Sequence, residues 1–186
     1  LTMVVIALAT SLSSTALPLI SEAYTLKDRQ GLAKLITDNL QLFCFIMFPA
    51  TVGMISLAYP LNTLFYEPSH LGSSVLIEAC ISGVVIGLYM MSSSTLQGLG
   101  KHKATLKYLV FGFIIKVLLQ VPFIYFFEVY GPLLATTVGL GLSTFLILRD
   151  IHEISNFDLG LVLRRALLIL LLCMGMLVTV LLSRFI

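Results

Sequence analysis

The sequence predicts an all-α membrane protein, a polytopic helical bundle of six transmembrane helices in a single membrane domain over residues 1–186. Three observations lead there. Of 186 residues, 59% are hydrophobic and 11% charged, against about 25% charged in soluble domains, and mean hydropathy is +1.06. Six apolar stretches reach or approach the about 20 residues needed to cross a hydrocarbon core. Basic residues fall in every second connection between them.

The first span, 1–21, opens LTMVVIALA and closes on a hydroxyl-rich run, TSLSSTALPLISEAY. It starts with Leu and lacks a charged leader, so it is not an ordinary signal peptide. With LLSRFI ending the last span, the sequence is expected to be a piece of a longer polytopic protein. Residues 22–39 form the first connection, where Leu32, Leu35, Ile36 and Leu40 recur at helical spacing between Lys27, Arg29, Lys34 and Asp38. An amphipathic helix on the inner surface and a plain cytoplasmic extension of the second span fit this pattern equally well.

The second span, 40–65, carries Pro49, which predicts a kink, and Pro60 near its outer end. The third, 75–97, holds Gly83 and Gly87 at a spacing suited to helix packing. Glu78 near its outward end reads as a solvated interfacial carboxylate. Ser92, Ser93, Ser94 and Thr95 at its inward end read as a polar helix terminus as readily as a substrate contact. The fourth and fifth spans, 105–127 and 132–149, are divided only by EVYGP. Tyr130-Gly131-Pro132 is a turn signal, and Pro132 suits a first helical position. Gly139 and Gly141 suit packing. The sixth span, 162–183, is apolar all round and faces lipid or an acyl tail.

Charge sets the expected orientation. Lys27, Arg29 and Lys34 lie in the first connection, Lys101, Lys103 and Lys107 around the third, and Arg149, Arg164 and Arg165 around the fifth. The second and fourth connections have neither Lys nor Arg. By the positive-inside rule the basic loops face the cytoplasm and both ends of the sequence face outward.

Two groups of polar residues stand out within the spans. On a helical wheel, Thr10, Ser11, Ser14 and Thr15 share one face of the first span, about 140° wide, with Met3, Ala7, Pro18 and Ser21. Val5, Leu8, Leu12, Ala16 and Leu19 fill the opposite side, and Ser13 is the exception. Small hydroxylated faces serve close helix contact or a wet cavity; the density here favours a cavity. Lys116 lies nine residues beyond Lys107, about 13 Å deeper along the fourth span. A lysine there costs about 2.5–3.5 kcal/mol on insertion scales, so it is expected to face an interior or a water-filled path. Gly112, Lys116 and Gln120 make one stripe at four-residue spacing.

Other chemistries are excluded or unsupported. A net charge of +2 gives no footing for nucleic acid. Cys44, Cys80 and Cys173 stand apart in apolar runs and read as small buried hydrophobes. His70, His102 and His152 match no metal-ligand spacing. No catalytic residues, cofactor motif or phosphate-binding GxxxxGK[ST] loop can be identified. Kinked helices with an intramembrane cation point to a transporter rather than an enzyme.

Four ordered stretches then carry a family likeness: ALATSLSSTALPLISEAY (7–24), FPATVGMISLAYPLNTLFY (48–66), SSSTLQGLGKHK (92–103) and IIKVLLQVPFIYFFEVYGPLLATTVG (114–139). They resemble the superfamily that joins multidrug and toxin extruders (MATE-like) with polysaccharide and lipid II flippases. The likeness is to its polysaccharide-biosynthesis branch, similar to stage V sporulation protein B. GPLLAT in place of the usual GAxxAT, and HKAT without the usual proline, depart from the branch pattern.

The resemblance implies spans eight to thirteen of about fourteen, a partial second lobe lacking its first helix. It implies a substrate cavity lined by Thr10, Ser11, Ser14 and Thr15, with Lys116 and Gln120 at the family's Kxxxn positions and the sixth span beside a groove for a polyprenyl tail. The expected function is translocation of a lipid-linked oligosaccharide or peptidoglycan precursor across the bacterial cytoplasmic membrane. Its expected partners are that lipid-linked glycan and membrane lipids, with room for envelope-synthesis enzymes. An ion-coupled multidrug extruder and a non-transporting membrane scaffold for envelope synthesis are the alternatives.

Overall fold

A computed structural model describes residues 2–65, 70–155, 157 and 159–183. Its helices are α1 (Thr2–Thr25), α2 (Arg29–Ser56), α3 (Ala58–Phe65), α4 (His70–Gly98), α5 (His102–Phe127), α6 (Gly131–Ser155) and α7 (Leu159–Ser183). A single 3₁₀ turn, Glu128–Tyr130, joins α5 to α6. No strand occurs among the described residues. Stretches long and apolar enough to cross a membrane are Ile6–Thr25, Arg29–Ser56, Gly72–Gly98 and His102–Ser155, the last containing α5, α6 and the turn between them.

Local chemistry sets the helix ends. After α1 the chain turns through Lys27, at φ 55, and Asp28 caps α2 by accepting the Gly31 amide at 2.9 Å. The stretch 29–39 is thus the start of α2 itself, continuous with its apolar part, and it buries Leu32 and Ile36. At the other end α2 stops at Leu57, so the window 40–65 holds two helices, α2 and the short α3. Helix α4 closes on Gly100 at φ 75. The Gly100 amide bonds the Gln97 carbonyl, and the Lys101 amide bonds that of Leu96. This pair of bonds needs a left-handed residue, which glycine supplies without strain.

Helix α4 lies at the centre, touching α1, α2, α3, α5 and α6. Small residues set how closely its neighbours approach. A Cβ on Gly87 would sit 2.9 Å from Ala9 Cβ and 3.0 Å from Phe43 Cζ, where α1, α2 and α4 meet. Along the same seam Ser94 Oγ donates to the Ser13 carbonyl at 2.7 Å. Ser82 and Thr137 hydroxyls pair at 2.8 Å between α4 and α6. Buried Ala9, Ala16, Ile20, Ile36, Phe43 and Met47 fill the space between.

Helices α5 and α6 pack even more closely. A Cβ on Gly139 would lie 2.7 Å from the Gly112 carbonyl oxygen. Ser143 Oγ donates to the Tyr108 carbonyl at 2.7 Å, and the Tyr108 hydroxyl donates to Asp150 at 2.8 Å. Helix α7 joins the bundle through α2. Cys44, Cys80 and Cys173 are buried free thiols.

The antiparallel succession gathers the basic residues at one end. There the end of α1, the start of α2 and the end of α6 border an open recess of about 670 Å³ that includes Lys27, Arg29 and Ile154. Because the α5–α6 seam has no room for side chains at its centre, Gly112→Val should force the two helices apart. The expected loss is about 1–3 kcal/mol, read as a lower melting temperature of the detergent-solubilised protein; an unchanged melt would contradict this packing.

Candidate substrate-facing surface

The helix surface of α1 divides into three. Ala9, Ser13, Ala16 and Ile20 are buried, spaced as one stripe that faces the neighbouring helices. Leu8, Leu17 and Leu19 are exposed apolar residues. Thr10, Ser11, Ser14 and Thr15 form a third, hydroxylated surface, also exposed. Ala16 therefore does not belong with the lipid-side leucines, where the wheel put it. Its small side chain is used in the core, because α1 needs a narrow stripe to approach its partners.

Each hydroxyl in the exposed group bonds back to its own helix. Thr10 and Ser11 donate to the Ala7 carbonyl at 2.8 and 3.0 Å. Ser14 donates to the Ser11 carbonyl at 2.9 Å and Thr15 to that of Leu12 at 3.0 Å. These bonds spare the hydroxyls an unsatisfied state in an apolar setting. They also leave the oxygen lone pairs free to accept from water or a ligand.

Lys116 and Gln120 are half-buried, one turn apart on α5. A Cβ on Gly139 would meet Lys116 Cβ at 3.0 Å, so the lysine leaves α5 beside Gly139 of α6. Gly112, the third member of the expected stripe, belongs wholly to the α5–α6 seam. The structure brings the four α1 hydroxyls together, and it brings Lys116 next to Gln120. It does not bring the two groups into contact: α1 packs on α4 and α2, while α5 packs chiefly on α6.

The second hydroxyl cluster is internal. Ser92, Ser93, Ser94 and Thr95 are all buried. Ser94 reaches α1, Thr95 bonds the Met91 carbonyl at 2.9 Å, and Ser93 accepts from Gln97 at 3.1 Å. Helix contacts and local bonds account for Ser93, Ser94 and Thr95, while Ser92 Oγ is enclosed without a partner.

Three polar features were not legible in the sequence. Glu78 is half-buried rather than solvated, and its Oε1 is enclosed without a partner. Helix α4 starts at His70, before the expected 75, so Glu78 lies about 12 Å along it. Gln41 has an enclosed, unpartnered Nε2, and Arg165 of α7 donates to its Oε1. Only a known α2–α7 pairing would have joined these two residues, 124 positions apart. No group of three or more His, Cys, Asp or Glu residues placed to hold a metal occurs among the described residues.

Comparison with known proteins gives a consistent result. A family model described as lipid II flippase MurJ matches residues 1–186. The lipid II flippase MurJ of Bacillus subtilis (strain 168) is 34% identical over 143 residues, which are 75% of this chain and 26% of that relative. A solved structure of lipid II flippase MurJ in an inward closed conformation superposes with TM-score 0.79 at 21% identity, covering 97% of this chain and 38% of that one. The likeness to that structure is one of fold. The chain spans about a quarter of the length of the curated relative.

The division of α1 has a direct test. With cysteine placed at Ser14 or at Ser13, a hydrophilic thiol reagent should label the first roughly tenfold faster, since thiol reactivity follows exposure. Equal protection of both positions would remove the hydroxylated surface from consideration.

Proposed function

The chain belongs to the lipid II flippase MurJ family, and from that membership we propose that it supplies part of the second lobe of a flippase for a lipid-linked oligosaccharide or peptidoglycan precursor. The observation that carries the reading is the exposed face Thr10, Ser11, Ser14 and Thr15 on a helix whose Ala9, Ser13 and Ala16 are used in packing. A wall of hydroxyls whose lone pairs stay free to accept suits the water and the sugar hydroxyls of a hydrated glycan head. The lipid tail of such a substrate stays among acyl chains. Alternating closure of the cavity on its two sides then moves the head without opening a pore.

Lys116 and Gln120 provide a second polar position in this reading. A half-buried cation attracts the negative charge of a diphosphate, and the neighbouring amide can donate to it. Because α5 is not in contact with the α1 face, Lys116 acts at another stage of passage or in another conformation. Transport of this kind makes and breaks no covalent bond, and the chain is not assigned an enzymatic role. The reading places the protein in the bacterial cytoplasmic membrane, with the basic loops cytoplasmic and both ends of the chain outside. Enzymes that make or consume the lipid-linked precursor are its natural partners.

Flipping of a labelled lipid-linked glycan by the protein in its full natural length, at matched expression, tests both positions. Ser14→Leu with Thr15→Val should slow transport roughly tenfold, the equivalent of about 1.4 kcal/mol. Lys116→Ala should slow it several-fold, with Lys116→Arg restoring most of the rate. Unchanged transport in the paired α1 variant would overturn the cavity reading, and unchanged transport in Lys116→Ala would remove that residue from the mechanism.

A further inference from the structure

Outside the α1 surface, a groove runs between α2 and α7 at the basic end of the bundle. It has a volume of about 350 Å³ and is lined by Asp38, Gln41, Leu42, Phe45, Arg165 and Ile169. Its polarity is graded. Asp38, Gln41 and Arg165 lie nearer the basic end, and Leu42, Phe45 and Ile169 follow along the two helices. From Asp38 to Phe45 the change takes about 10 Å of helix, comparable to the step from headgroup to acyl chain at a bilayer surface.

The polar end of the groove is incompletely paired. Arg165 donates one hydrogen bond to Gln41 Oε1, which fixes the amide and leaves the rest of the guanidinium fork uncommitted. Gln41 Nε2 is enclosed without an acceptor, a costly state for a buried donor. Gln41 Nε2 is closed off from the groove, so the donors open to a ligand there are the remaining ones of the Arg165 guanidinium, which Gln41 Oε1 holds in place. Asp38 on the same rim supplies a carboxylate for a cation. Below them, Phe45 is 64% and Leu42 45% exposed, an apolar surface in need of cover.

We infer that this groove is a binding site for one zwitterionic phospholipid of the bilayer. Its phosphate sits on the Arg165 guanidinium, which Gln41 orients, its ammonium faces Asp38, and an acyl chain lies on Leu42, Phe45 and Ile169. The charge order of the rim decides the class. A phosphate alone would satisfy the arginine, but a headgroup with no cation would be left against the Asp38 carboxylate. The lipid would tie α7 to α2, adding contacts at a junction that the rest of the bundle does not reinforce. This inference concerns a bilayer lipid held in place, not the translocated substrate, and it stands whether or not the protein flips glycans.

Native mass spectrometry of the protein in its full natural length, in mild detergent with added lipid, tests it. One phosphatidylethanolamine should be retained, with phosphatidylglycerol and polyprenyl phosphate held several-fold less and diacylglycerol not at all. Arg165→Leu and Gln41→Leu should each cut retention about tenfold, while Arg164→Leu, next to the groove, should leave it unchanged and serve as the folding control. Asp38→Asn should erase the preference for the ethanolamine head. The inference is overturned by a wild-type protein that retains no phospholipid, as when another segment of the protein fills the groove. It is also overturned by equal retention of diacylglycerol, by preferential retention of polyprenyl phosphate, or by full retention in both Arg165→Leu and Gln41→Leu.

Discussion

Close approach of helix backbones through small residues is the constraint from which this bundle follows. Lipid tails are as apolar as leucine, so burial of apolar area gives little drive for one helix to meet another in a membrane. What remains is dispersion, which falls off steeply with distance, and polar bonds that need short reach. Gly87 lets Ala9, Phe43 and Met47 converge, and Gly112 and Gly139 let α5 touch α6. Where backbones are that near, short hydroxyl side chains can bridge helices, as Ser94 does to Ser13 and Ser143 to Tyr108. Packing and hydrogen bonding thus depend on the same small residues.

That dependence gives the two kinds of small residue on α1 different meanings. Ala9, Ser13 and Ala16 are small because α4 and α2 are close. Thr10, Ser11, Ser14 and Thr15 have no such neighbour among the described residues, where they stand exposed. Their hydroxyls cost little in lipid, because each bonds a carbonyl of its own helix. In water they gain further partners. A surface tolerable in both settings suits a wall that faces a cavity in one state of a transporter and closes against protein in another. The seams behind it, α1–α4, α4–α6 and α5–α6, favour motion of the lobe as a unit, since interdigitated small-residue contacts cannot slide gradually.

Much of this was legible in the residues. Span periodicity and the alternation of basic and charge-free connections depend on local sequence alone, and so does the turn at Tyr130-Gly131. The rotation of each helix was less legible. Ala16 looked like part of a leucine face because a wheel records polarity, not the distance of a neighbour. Ser92 to Thr95 read as a polar helix terminus or a substrate contact, whereas the position of α1 puts Ser94 on the Ser13 carbonyl. Lys116 and Gln120 were readable as a polar pair, but their separation from the α1 hydroxyls is a property of helix order. The enclosure of Glu78 Oε1 depends on the helices packed around α4, which local sequence does not record.

The polar atoms that packing leaves unsatisfied fall on two helices. Asn39 Nδ2 and Gln41 Nε2 lie on α2, Glu78 Oε1 and Ser92 Oγ on α4, all enclosed and without partners. Native proteins leave few such atoms, because each forfeits its hydration without return. By contrast, the hydroxyls that cross the α1–α4, α4–α6 and α5–α6 seams are paired. The chain therefore satisfies the contacts that hold its helices together, and its deficit lies on the helices that make the most varied contacts. Atoms so enclosed gain partners only where the packing around them changes. In the proposed flippase such polar groups are a means of coupling: whichever neighbour supplies the missing bond stabilises the conformation in which it does so.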